Sequence, residues 1–140
     1  MLQVTVDDRP RPIRRSARSG GQLFTVHTGG REPEPTEGTR ISYTYRALVQ
    51  QHGHVLYLDF DMPAKGVEVE LAYGDCGIRH VNVLDFIAGA QPTRVSRSPK
   101  DVTPPTVGVR FDGWVFPKSG VAFAWVLERE MAALPRATSR

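Results

Sequence analysis

FDGWVFPKSG, residues 111–120, decides how the second half of this chain is read. It opens with Asp112-Gly113, a strong hairpin dipeptide, and closes with Pro117-Lys118-Ser119-Gly120, a second turn signal. Only Trp114, Val115 and Phe116 lie between them. TVGVRF before the stretch and GVAFAW after it both have strand character. The stretch therefore reads as the connection between the last two strands, with a brief third strand inside it. Trp114 and Phe116 are expected to fold over the open end of a β-sandwich as a plug rather than to stand displayed.

Working outward, alternation continues in both directions. In GVEVELAY, Val67, Val69, Leu71 and Tyr73 alternate with Glu68, Glu70 and Ala72, the period of a half-buried strand. In RISYTYRALV, Ile41, Tyr43, Tyr45 and Ala47 share one face. HVLYLDFDM places Leu56, Leu58 and Phe60 on one side, Val55 and Tyr57 on the other. Turn signals recur every 8 to 14 residues or so, the rhythm of an antiparallel sandwich or small barrel. The expected fold is mainly β: a single sandwich (Ig-like or jelly-roll-like) or small barrel of about seven to eight strands. GVAFAWVLEREMAAL reads as a strand to about Glu128 followed by a short helix or a frayed tail, and residues 82–90 fit either a strand or a helical turn.

Before residue 39 the pattern differs. DDRPRPIRRSARSGG and GGREPEPTEG are rich in Pro, Gly and blocks of opposite charge, and they flank only two apolar pieces, LQVTV and QLFTVHT. Residues 1–38 read as a flexible arm in which LQVTV and QLFTVHT form one or two short strand-like pieces, 39–130 as the β domain and 131–140 as a tail. The chain has 140 residues with 40% hydrophobic and 24% charged content, enough for one compact domain with a polar segment. No apolar run reaches the ~20 residues needed to span a bilayer, and the opening MLQVTVDDRP carries acids where a signal peptide is basic. A lone cysteine, Cys76, allows no internal disulfide. These features point to a cytoplasmic protein. Of the 18 basic residues only Lys65, Lys100 and Lys118 are lysine, a bias expected of a GC-rich bacterial source rather than of selection for anion binding.

Four constellations could carry chemistry. Cys76 in YGDCGIRH lies near His80 and Arg79, but with no further partner it reads as a turn cysteine, and no catalytic residue is expected. His52 and His54 share a face in an extended segment, as do Asp59 and Asp61. They are weak metal candidates, with His27 or His80 as a third ligand, but the spacing is that of no known site, and neither metal nor cofactor is expected. Arg9, Arg11, Arg14, Arg15 and Arg18 form an anion-binding candidate. Arg14 and Arg18 have the RxxxR spacing of cyclic-di-GMP-binding PilZ domains, yet the D/N-x-S-x-x-G that completes that pattern does not follow. Arg94 to Pro99 juxtaposes serines and arginines, a phosphorylation-like pattern common by chance.

The reading that follows is a non-catalytic β-sandwich module for protein–protein or self-association, with a regulatory role in view. Its expected contact residues are Tyr43, Tyr45, Tyr57, Trp114, Phe116 and Trp125. The alternative is a small-molecule-binding or enzymatic barrel with these aromatics around a pocket. Third comes a nucleic-acid-associated protein using the arginine arm. The expected partner is a protein or a second copy of the chain, with nucleic acid ranked behind and no membrane.

Overall fold

A computed structural model describes residues 1–29, 38–46, 53–74, 76–87 and 92–133. The fold is mainly β, built from several antiparallel sheets with no closed barrel among the described residues. The chain divides into two compact units, Met1–Gln50 and Gln51–Arg140. Among the described residues there are eleven strands rather than seven or eight. The difference arises because residues 1–38 supply four strands where an arm with one or two short strand-like pieces was expected; seven follow after residue 38.

In the first unit, β1 (Leu2–Val6) lies between β2 (Arg9–Pro10) and β5 (Ile41–Tyr45), and β3 (Ile13–Arg18) pairs with β4 (Gly21–Val26) as a hairpin. The chain turns from β1 to β2 through Asp7 and Asp8, both with positive φ, a conformation that aspartate tolerates. Asp7 also ties down β5: its Oδ1 accepts from the Arg40 amide at 2.8 Å, and its own amide donates to the Arg40 carbonyl at 2.8 Å. Strand β5, expected to open the main domain, is thus the partner of β1. The division falls after Gln50 rather than near residue 38.

The second unit contains two three-stranded sheets. One has β11 (Ser119–Leu127) between β6 (Val55–Phe60) and β8 (Ile78–Asp85), and the other has β10 (Thr106–Val115) between β7 (Ala64–Ala72) and β9 (Arg94–Arg97). Every link except that from β9 to β10 carries the chain to the other sheet. The turn at Pro63 is therefore a crossing between sheets and not a hairpin. Both sheets feed one core, in which Val81, Val107, Val109, Val121 and Phe123 are buried, with Leu56, Leu58, Phe60, Val69 and Leu71 packed against them. The central strand β11 is covered on both faces, which explains its uninterrupted apolar sequence. Burying these side chains is the main stabilising contribution to the unit.

Strand β10 runs straight through Asp112-Gly113. Phe111 pairs with Val67 and Trp114 with Lys65, so three steps on β10 oppose two on β7, a β-bulge. Gly66, with φ 69°, lies opposite the bulge and switches the phase of β7, so that Ala64 turns inward where strict alternation would expose it. Asp112 caps no turn. Its carboxylate accepts from Arg110 Nε at 2.7 Å and lies 3.8 Å from Arg94, and the Arg110 hydrogen bond holds it below the usual carboxylate range. The reversal comes later, at residues 116–119, where the Ser119 amide donates to the Phe116 carbonyl at 3.1 Å. Pro117 in second place and Lys118 in third with φ 69° fit a type II turn.

Strand β11 ends as the sequence suggests, passing into α1 (Glu128–Ala133). The Leu127 amide donates to Glu130 Oε2 at 2.9 Å, the N3-to-N-cap half of a capping box. Residues 82–85 are strand, while 88–90 lie outside the described residues.

One side chain ties the two sheets together. Arg97 of β9 donates through an Nη to the carbonyl of buried Val81 in β8 at 2.7 Å. Val81 lies on an edge strand, where that carbonyl has no ladder partner among the described strands. Replacing Arg97 with alanine leaves the carbonyl unsatisfied and is expected to lower stability by about 1–2 kcal/mol. The check is a urea midpoint shift at unchanged slope, and an unshifted midpoint would mean that the bond adds nothing.

Candidate functional site

The formal charge of +3 has a location. Residues 1–50 hold eight arginines against five acids, whereas residues 51–140 hold ten basic and ten acidic groups. The basic unit also has little buried core. Val6 is its only fully buried hydrophobic side chain among the described residues, while Phe24, Ile41, Tyr43 and Tyr45 are each at least 40% exposed.

The register shows why. Leu2 pairs with Tyr45, Val4 with Tyr43 and Val6 with Ile41, which places six apolar side chains on one face of the sheet. In the β3–β4 hairpin, Ile13 pairs with Val26, Arg15 with Phe24 and Ala17 with Gln22, which puts these residues on a common face. A groove of about 650 Å³ is lined by Met1, Leu2, Val4, Tyr43, Tyr45 and Arg46 together with Arg15, Gln22, Phe24 and Val26. Its wall is apolar and aromatic, its charged lining is Arg15 and Arg46, and no acid takes part. The rings of Tyr43 and Tyr45 lie 6.4 Å apart at 19°. Burial, and then the neighbouring Tyr43, raise the pKa of the Tyr45 hydroxyl above its ordinary value.

The expected aromatic set divides between the two units. Tyr43 and Tyr45 belong to the first unit, and Tyr57, Trp114, Phe116 and Trp125 to the second. Within the second unit, Tyr57 lies on the exposed face of β6 and Trp125 packs against the core. Trp114 and Phe116 are each 53% exposed, so they are displayed rather than folded in as a plug. Trp114 faces outward beside Lys65 because Phe111 and Val115 take the inward positions.

Four of the five arginines of the expected anion-binding set lie on strands, Arg11 lies in the link between β2 and β3, and the five do not share one face. Arg9 is exposed on β2. Arg14 and Arg18 share one face of β3 and Arg15 lies on the other, toward the groove. Arg11 is half-buried against Gly29, with its Nε covered and unpartnered.

The metal candidates also separate. His54 stacks on Trp125 with ring centres 6.3 Å apart, and its Nδ1 lies 3.5 Å from Glu130 Oε2. Asp59, five residues on, points to the opposite face of β6. His80 contacts Asn82 at 3.0 Å, and His52 lies outside the described residues. No group of three potential metal ligands occurs among the described residues. Cys76 is exposed, its thiol donating to the Gly74 carbonyl at 3.0 Å.

The groove residues that sequence reasoning did not single out are Met1, Leu2, Val4, Gln22, Phe24, Val26 and Arg46. Their signal was present as the alternating apolar positions of LQVTV and QLFTVHT. No helix among the described residues is long and apolar enough to cross a membrane. The chain matches no protein-family model, no curated protein and no solved structure.

Proposed function

We propose that this protein is a non-catalytic binding module that docks a protein partner on the open apolar face of its first unit. The second unit serves as a β-sandwich scaffold. The carrying observation is the face formed by Leu2, Val4, Tyr43 and Tyr45, which retains large aromatic exposure beside two arginines. Exposed, clustered tyrosines with flanking arginine are the residue types that carry interface energy. An ordinary surface strand buries its apolar face, whereas β5 leaves Ile41, Tyr43 and Tyr45 exposed.

Selection of phage-displayed peptides on the immobilised protein tests the proposal, with Tyr43→Ser/Tyr45→Ser as the counter-target. Peptides enriched on the wild type and lost on the double variant are expected. Equal enrichment on both proteins, or none above bare support, would overturn the proposal.

The groove's volume favours a second reading, since about 650 Å³ falls in the range of small-ligand sites. On that reading the ligand is an aromatic anion. Saturable binding of anilinonaphthalene sulfonate that the selected peptides fail to displace would support it.

A further inference from the structure

We propose that β5 is an acceptor edge for one extended, acid-ended peptide strand, which adds antiparallel to the β2–β1–β5 sheet. This rests on the binding-face reading above and names its partner.

The hydrogen bonds identify the free side of β5. The Arg46 amide donates to the Met1 carbonyl at 3.0 Å, and the Asp7 amide donates to the Arg40 carbonyl at 2.8 Å. Backbone groups of an antiparallel strand alternate in direction, so the even-numbered residues 40, 42, 44 and 46 bond toward β1. Ile41, Tyr43 and Tyr45 then aim their N–H and C=O groups away from β1, where the described residues provide no further strand. All five residues of β5 are exposed. ISYTY contains no charge, no proline and no bulge, the devices that usually protect an edge from pairing. Two of the three, Tyr43 and Tyr45, line the groove, and Ile41 shares their face, so an incoming strand would gain main-chain bonds and apolar contacts at the same positions.

Charge decides what the strand is. In the two-fold pairing of two copies that uses all three residues, Tyr43 lies opposite Tyr43 and Arg40 opposite Arg46 of the second copy, at both ends. Like charges directly opposite are destabilising, so self-pairing is disfavoured. A segment with acids at those two positions turns both repulsions into attractions, fully at Arg46 and in part at Arg40, whose guanidinium also lies 4.0 Å from the Asp8 carboxylate. Arg15 in the groove adds to the preference, and residues 1–50 hold eight arginines against five acids. The matching pattern is seven residues: acidic at each end, apolar at the second, fourth and sixth positions, and polar between.

The probe is fluorescein-labelled Glu-Val-Thr-Val-Thr-Val-Glu, followed by anisotropy on the full chain. It is expected to bind about tenfold tighter than the same peptide ended with lysines, because two cross-strand pairs change sign. In Arg40→Glu/Arg46→Glu the preference reverses. N-methylation of the central valine, whose amide faces Tyr43, weakens binding about fivefold or more, while N-methylation of the adjacent threonine, whose amide faces away, does little. Equal losses from the two N-methyl groups, or an end-charge preference unchanged in the double variant, would overturn the edge assignment while leaving the groove as a binding face. No binding of any heptapeptide, with phage selection still dependent on Tyr43 and Tyr45, also overturns the edge alone. Loss of both results removes both readings. Concentration-dependent dimerisation abolished by Tyr43→Pro would replace the acidic strand with a second copy.

Discussion

Phe123→Ala is expected to lower the unfolding free energy of the second unit by about 3–5 kcal/mol, the usual cost of deleting a fully buried phenylalanine. The side chain is completely inaccessible and lies on β11, the middle strand of its sheet. Its cross-strand partners are Leu56 and Val83, and the core it enters also holds Val107 and Val109 from the other sheet. The backbone around it is held by hydrogen bonds to two neighbouring strands, so the site cannot collapse far and a cavity remains. A domain has only about 5–15 kcal/mol in total, so the variant would be near the edge of folding at ordinary temperature. The measurement is chemical denaturation followed by the fluorescence of Trp114 and Trp125. Tyr57→Ala serves as the control, since Tyr57 lies on the outer face of β6 with 65% exposure. It should change stability by no more than about 0.5 kcal/mol. Equal losses from the two variants would mean that the core is not where the register places it.

Phe123 belongs to the part of the molecule that was legible from the residues alone. Alternation in GVEVELAY placed Val67, Val69 and Leu71 inward, and the burial of β7 follows it down to Gly66. The alternation of ISYTY was equally legible, but alternation gives a strand's faces and not its neighbour. The pairing of β5 with β1 is therefore not legible in ISYTY itself. Turn residues have the same limit: Pro63 and Pro117-Lys118 mark where the chain reverses, whereas sheet membership depends on contacts far away in sequence. Asp112-Gly113 misled for a related reason. Its hairpin tendency is local and weak, about 1 kcal/mol or less, and here the dipeptide is drawn into a strand by inward Phe111 and Val115 on either side and by Arg110 and Arg94 on the carboxylate. The groove was half legible. Tyr43 and Tyr45 stand out in the sequence, but their apolar neighbours come from a segment whose Pro, Gly and charge content resembles a solvated arm. Composition averages over the very alternation that lets LQVTV and GQLFTV pair as strands.

Gly120→Ala is the other substitution expected to have a large effect, and it tests close packing rather than cavity formation. A β-carbon placed on Gly120 would lie 2.5 Å from the Leu58 carbonyl oxygen and 2.5 Å from Cζ of Phe86, both far inside van der Waals contact. The Phe86 ring can rotate or lift, being 43% exposed, but the Leu58 carbonyl belongs to the neighbouring strand β6. Phe86 is further anchored by its amide, which donates to the Gly120 carbonyl at 3.1 Å, so a displaced ring strains the same residue that displaced it. Alanine would gain about 0.4–1 kcal/mol by stiffening the unfolded chain, while overpacking costs about 1–3 kcal/mol and more where backbone must move. The net expectation is a loss of about 2–3 kcal/mol, on the strength of the main-chain contact. A double-mutant cycle with Phe86→Ala separates the two collisions. If the ring carried the whole clash, alanine at 120 would cost nothing once Phe86 was truncated. With Leu58 in the way, at least half the loss should persist in the Phe86→Ala background. Complete rescue would show that β11 sits further from β6 than the register of Gly120 with Asp59 implies.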